Sequence, residues 1–203
     1  MDLKFYKKTK SLKERIFKIM SNSKKIKNIV FCAIFVVLII AGTFIKIPIP
    51  VLPFTLQFLF TTLAGSLLGS KNGALSVLCY TIIGLLGIPV FTTGGGIGYF
   101  LQPTFGYILG FIFGAFTTGK ILESQKNSKF FGMLIANFAG LFIVYFVGMV
   151  YYYIISNYVI NSPIALWPLF WYCFVLAIPG DILLCFVAAI LTKKLKPIIF
   201  KHF

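Results

Sequence analysis

The sequence predicts an all-α membrane protein: a compact bundle of six transmembrane helices with both termini cytoplasmic. Three observations carry this expectation. Of 203 residues, 59% are hydrophobic and 11% charged, with mean hydropathy +0.97, which is less than half the roughly 25% charge of soluble domains. Residues 72–119, between Lys71 and Lys120, form a run of 48 without a single charge. If the chain crosses six times from an inner N-terminus, 18 of its 19 Lys/Arg fall on the inner side and only Lys46 on the outer. That asymmetry is what cytoplasmic segments require.

Taken in order, residues 1–28 form a basic cytoplasmic segment that holds ten of the Lys/Arg, suited to anionic membrane lipid. The apolar run behind it has no obvious small-x-small cleavage site, so it reads as a signal anchor that is retained. Spans are expected near 29–45, 54–70, 73–90, 104–121, 130–156 and 166–192, giving one membrane domain over 29–192. Residues 193–203 make a basic cytoplasmic tail. The outer connections, 46–53, 91–103 and 157–165, are apolar or neutral, unlike solvated loops. They read either as a lid over an outward-facing pocket or as segments resting in the interface. Small residues recur every four positions (Gly65 and Gly69; Gly106, Gly110 and Gly114; Gly132, Ala136, Gly140 and Gly148), a pattern that lets helices approach closely in lipid.

Several chemistries are excluded. The one histidine is His202, in the tail, so no His-based nucleophile system or HExxH metal site exists. The acidic residues are Asp2, Glu14, Glu123 and Asp181, and only Asp181 lies within a span, which rules out paired-carboxylate catalysis. Gly114-Ala-Phe-Thr-Thr-Gly-Lys120 imitates a phosphate loop, but Ile121 follows where Ser or Thr is needed and no strand precedes it. Cys32, Cys79, Cys173 and Cys185 lie in apolar segments without CxxC spacing and read as packing residues. The expectation is a protein that is not an enzyme, with no cofactor, no metal and no nucleic-acid partner, the net charge of +15 serving the membrane surface.

Asp181 is the residue of greatest interest. A carboxylate at membrane depth costs about 2.5–3.5 kcal/mol on insertion scales, so it must face a partner helix or a polar cavity. Pro179 and Gly180 precede it and loosen the helix there. Further candidates in the outer half are Gln57, Tyr80, Tyr99, Gln102, Thr104 and Tyr107, with Phe54, Phe91 and Phe105 as aromatic walls. Gly94, Gly95 and Gly96 form either a nest of backbone N–H groups or a tight turn. Lys46 reads as a ligand contact or as a snorkelling side chain.

These residues carry a resemblance. The runs Pro48-Ile-Pro-Val-Leu-Pro-Phe-Thr-Leu-Gln57, Leu63-Ala-Gly-Ser-Leu-Leu-Gly69, Gly87-Ile-Pro-Val-Phe91 with its glycine cluster, Pro103-Thr-Phe-Gly-Tyr-Ile-Leu-Gly-Phe111 and Pro179-Gly-Asp181 resemble, in the same order over residues 29–192, the BioY family. These are biotin-binding S components of energy-coupling factor (ECF) transporters. The resemblance implies a six-helix subunit of the bacterial plasma membrane that captures biotin from the outer side. A transmembrane coupling subunit and two ATPase subunits would supply the motor. It implies that Asp181 meets the ureido ring, whose N–H donors suit a buried carboxylate, and that the 87–107 connection closes over the bicycle.

The chain departs from the family pattern in three places. Leu184 stands where the family commonly has lysine. No arginine occurs between Gly94 and Tyr107, where Gln102-Pro-Thr-Phe-Gly replaces the usual Gly-Pro-Thr-Gly-Gly. The small-xxx-small pair for docking to the coupling subunit reads Ala33 and Val37. The substrate carboxylate is then left to Lys46, to backbone N–H groups, or to Gln102 and Tyr99. The alternative is the same transport role with a different small vitamin or sulfur-containing acid as ligand.

Overall fold

The computed structural model describes residues 25–47, 54–125 and 129–201. The basic stretch up to residue 24, the proline-rich 48–53 segment, residues 126–128 and His202 lie outside the described residues. Helix α1 spans Lys25–Phe44. A short hairpin follows, β1 (Lys46–Ile47) against β2 (Phe54–Thr55), antiparallel with Lys46 opposite Thr55. Then come α2 (Gln57–Leu85), a 3₁₀ turn at Ile97–Leu101, α3 (Phe105–Ser124) and α4 (Phe130–Ile154), the last continued by a π turn at Ile155–Val159. The chain ends with α5 (Leu166–Phe170), a second π turn at Trp171–Val175 and α6 (Ile178–Lys201).

Among the described residues, four stretches are long and apolar enough to cross a membrane: 25–44, 105–124, 130–159 and 166–199. Large apolar side chains such as Phe131, Phe142, Phe146 and Trp167 point outward, as they do on a surface solvated by lipid. The protein is a helical membrane protein.

Helix α2 is not one rod. Gly69 has φ +83°, a left-handed conformation open to glycine at little cost. In a straight helix Gly65 and Gly73 would stand about 12 Å apart, yet a methyl placed on Gly73 would meet the Gly65 backbone at 2.6 Å. The two arms of α2 therefore lie side by side. Glu123 of α3 secures the reversal, accepting the Ser70 backbone N–H at 2.7 Å and the Ser70 hydroxyl at 2.8 Å. These are orphan donors at a helix start.

The small-residue stripes act as expected. Gly65 lies against the Ala115 backbone, Gly110 and Gly114 against Val144 and Gly140 of α4, and Gly119 against Ser70. None leaves room for a side chain, so α3 sits tightly between α2 and α4. Asn137, fully buried, donates to the Cys185 carbonyl at 3.0 Å and ties α4 to α6. All four cysteines are free.

The last span is irregular beside Pro179, as the sequence leads one to expect. The proline ring at 179 cannot follow a regular helix without striking the carbonyl of Val175, and a π turn ends at that residue. Pro179 and Gly180 thus follow an irregular turn near the middle of the apolar stretch 166–199, and Asp181 stands in the first turn of α6.

Candidate functional site

At the end of the bundle away from the Gly69 reversal lies an open-mouthed cavity with about 60 Å³ of free interior. Each wall has a separate origin. The hairpin supplies Phe54 and Thr55, the two arms of α2 supply Gln57, Phe58 and Tyr80, and the 86–104 connection supplies Thr92, Tyr99 and Thr104. Helix α3 presents Tyr107, Ile108 and Phe111 at one-turn spacing, α4 gives Val144 and Tyr145, and the start of α6 gives Ala177 and Asp181. The Gly69 reversal brings Gln57 and Tyr80 to one chamber although they are 23 positions apart.

The polar groups fall into three sets. On one side, the Tyr145 hydroxyl donates to Asp181 Oδ2 at 2.6 Å. Near the connection, the Tyr99 hydroxyl meets Thr92 Oγ1 and Thr93 Oγ1, each at 3.2 Å. Tyr80 is spent on the protein itself: its hydroxyl donates to the Val90 carbonyl at 3.1 Å and meets Thr43 Oγ1 at 3.2 Å. Two buried groups of wall residues, Gln57 Nε2 and the Tyr107 hydroxyl, have no hydrogen-bond partner among the described residues. A buried orphan donor costs about 1–3 kcal/mol, and such groups demand an explanation. Both residues belong to the cavity lining.

Of the candidates read from sequence, Gln57, Tyr80, Tyr99, Thr104, Tyr107, Phe54 and Asp181 are brought together in the wall. Phe91 stands behind it, packed against Tyr99 (ring centroids 4.4 Å apart), Tyr80 (5.5 Å) and Phe105 (6.5 Å). Gln102 is exposed at the end of the 3₁₀ turn and does not line the cavity.

The glycine cluster resolves as a turn. Gly94 N–H bonds the Phe91 carbonyl and Gly96 N–H bonds the Gly84 carbonyl. Gly95 presses on the Ile88 carbonyl. The N–H groups of Gly94 and Gly96 are thus used within the connection, which fits the tight-turn reading and not the nest. Lys46 donates to the Thr92 carbonyl at 3.1 Å, so it fastens the hairpin to the connection outside the wall. Sequence reasoning missed Tyr145 and Thr92. Tyr145 sits among the aromatics of 145–153 with no local signal to set it apart, and only the α4–α6 packing selects it.

Fold and cavity define a class, a helical membrane protein enclosing a small-molecule chamber with one carboxylate in its wall. The chain belongs to the BioY family, whose sequence pattern matches residues 14–201. Among curated relatives, the probable biotin transporter BioY of Lysinibacillus sphaericus is 43% identical over 168 residues, covering 83% of this chain and 86% of the relative. The biotin transporter BioY of Thermotoga maritima is 35% identical over 175 residues, covering 84% and 96%. Among solved structures, the crystal structure of the S-component for biotin from an ECF-type ABC transporter superposes with TM-score 0.73 at 31% identity, covering 86% of this chain and 93% of the other. Among the described residues no cluster of His, Cys, Asp or Glu is placed to hold a metal.

Proposed function

We propose that this protein is the substrate-capture subunit of an ECF-type vitamin importer in the bacterial plasma membrane, and that it binds biotin in the Asp181 cavity. The observation that carries the reading is one carboxylate, Asp181, in the wall of a cavity otherwise lined by neutral polar and aromatic residues. A cyclic urea is a matching ligand, since its N–H groups suit Asp181 and its carbonyl can accept from the neutral donors among the wall residues. Apolar walls such as Phe54, Phe58, Ile108 and Phe111 suit the thioether ring and the alkyl chain. Relatives named as biotin transporters support the same ligand. The alternative, another small vitamin or sulfur-containing acid, rests on Leu184 alone and is not favoured.

Six membrane crossings, with both termini inside, belong to this proposal. The two antiparallel arms of α2 beside the four long apolar stretches support the count, and the partition of basic residues supports the direction. Capture from the outer side follows, because the cavity lies at the end carrying Lys46 and remote from Lys71, Lys120 and Lys129. A transmembrane coupling subunit and two ATPase subunits are the proposed partners, since this chain has no phosphate loop of its own.

Calorimetry on the purified full chain tests the ligand, with lipoate, thiamine and riboflavin as controls. One-to-one binding of biotin alone is expected, and it should vanish in Asp181→Ala while that variant still inserts. A folded wild-type sample that ignores biotin and binds a control would overturn the assignment.

A further inference from the structure

Asp181 is, among the described residues, the only charged one in the cavity wall. Among the described residues, the hydroxyl of Tyr145 is its one hydrogen-bond donor, at 2.6 Å. One helical turn on, where an i+3 side chain would share its face, stands buried Leu184. The nearest outer cation, Lys46, donates to the Thr92 carbonyl and does not line the cavity. The carboxylate is therefore oriented by a neutral group and its charge is not offset by any cation in the wall.

We propose that Tyr145 is the positioning residue of the recognition site, holding Asp181 Oδ2 so that Oδ1 faces the ligand, and that this cation-free arrangement sets ligand preference. The proposal rests on the reading that the cavity takes a cyclic urea. Tyr145 is suited to the task. It is buried to 3% exposure, and its ring is held edge-on by Tyr107 (centroids 6.1 Å apart, planes at 89°) and by Phe174 (5.2 Å, 76°). The hydroxyl thus reaches Asp181 from a fixed ring, and the bond joins α4 to α6.

A consequence separates positioning from simple bracing. A carboxylate without a cation accepts a ligand that brings its own positive charge, whereas a carboxylate already paired with lysine would meet it with repulsion. The informative probe is the cyclic guanidine analogue of biotin, in which the ureido carbonyl becomes a protonated imine. Its charge replaces part of what the Tyr145 hydroxyl supplies.

The experiment measures the dissociation constants of biotin and of this guanidine analogue for wild type, Tyr145→Phe and Asp181→Asn, at one neutral pH. Tyr145→Phe is expected to weaken biotin about ten- to a hundredfold, the worth of a hydrogen bond to a charged group, and the guanidine analogue by clearly less. Asp181→Asn is expected to shift the ratio the other way, penalising the cationic analogue at least about tenfold more than biotin. Equal losses for both ligands in Tyr145→Phe would make the tyrosine a brace between helices and overturn the proposal, as would unchanged biotin affinity. Should Tyr145→Phe fail to fold, the nearly isosteric Asp181→Asn decides alone, and an unchanged ratio there refutes the uncompensated charge. Wild type that binds no biotin is a separate outcome, since it removes the ligand assignment on which the proposal rests.

Discussion

The unpartnered hydroxyl of Tyr107 puts a sharp choice before the site. Its ring is buried between Tyr145 and the backbone of Gly148, while its oxygen has no hydrogen-bond partner. In the empty protein that oxygen costs stability, because a buried polar group is desolvated without compensation. Tyr107→Phe is therefore expected to leave the empty protein as stable or more stable, by up to about 1 kcal/mol, while ligand affinity falls about tenfold or more. Thermal melting with and without biotin reads both effects at once. A variant that melts lower when empty, or binds as tightly as wild type, would remove Tyr107 from the recognition set. The sequence singled out Asp181 because a charge inside a span is rare and costly, and it singled out Gln57, Tyr80 and Tyr99 because polar groups stand out in an apolar chain. Tyr145 stayed hidden for the opposite reason: in a segment crowded with aromatics, one hydroxyl gives no signal until a second helix presents it with a carboxylate.

The helical hairpin within α2 depends on two features at its bend. Gly69 adopts φ +83°, and the Glu123 carboxylate satisfies both the backbone and the side chain of Ser70. Glu123→Ala leaves those donors without their charged partner, with an expected loss of about 2 kcal/mol. Gly69→Ala is expected to cost about 1–2 kcal/mol from the left-handed backbone alone, and its methyl would meet Glu123 Oε1 at 2.5 Å. Denaturation in mild detergent measures each. Because the bend is remote from the cavity, biotin affinity in the folded fraction should change less than twofold, whereas a large change would mean that bend and site are coupled. The bend also marks a limit on what the sequence discloses. Gly69-Ser-Lys-Asn-Gly73 reads as an inner connection of several residues, yet the chain turns at one glycine because the acid on α3 supplies the missing partners. The last span shows a related limit. Pro179 and Gly180 announced an irregular helix, but whether a proline kinks a helix or begins one depends on the turn before it, and the π turn at Trp171–Val175 has no sequence signature of its own.

On the scale of the whole molecule, the proposed topology puts the ligand entrance on the side opposite the lysines. Lys71, Lys120 and Lys129 lie by the Gly69 bend, where Ser70 of α2 meets Glu123 of α3. The hairpin, the glycine turn and the 3₁₀ turn all gather at the other end, around the cavity mouth. Inverting the protein would carry 18 basic residues instead of one across the membrane, each disfavoured in a translocated short segment. The orientation is therefore strongly biased, and it makes a prediction that ligand binding alone cannot test. Single cysteines at Ile97, 78% exposed on the 3₁₀ turn, and at Lys71, exposed just past the bend, should label oppositely in intact cells when placed in a chain freed of its own four cysteines. An impermeant maleimide is expected to modify position 97 from outside and to reach position 71 only after the membrane is opened. Saturating biotin should then slow labelling of a cysteine at Thr92 in the cavity wall while leaving position 97 unaffected. Labelling of position 71 in intact cells would reverse the orientation and put the cavity mouth on the cytoplasmic face, where a subunit that captures vitamin from outside could not use it.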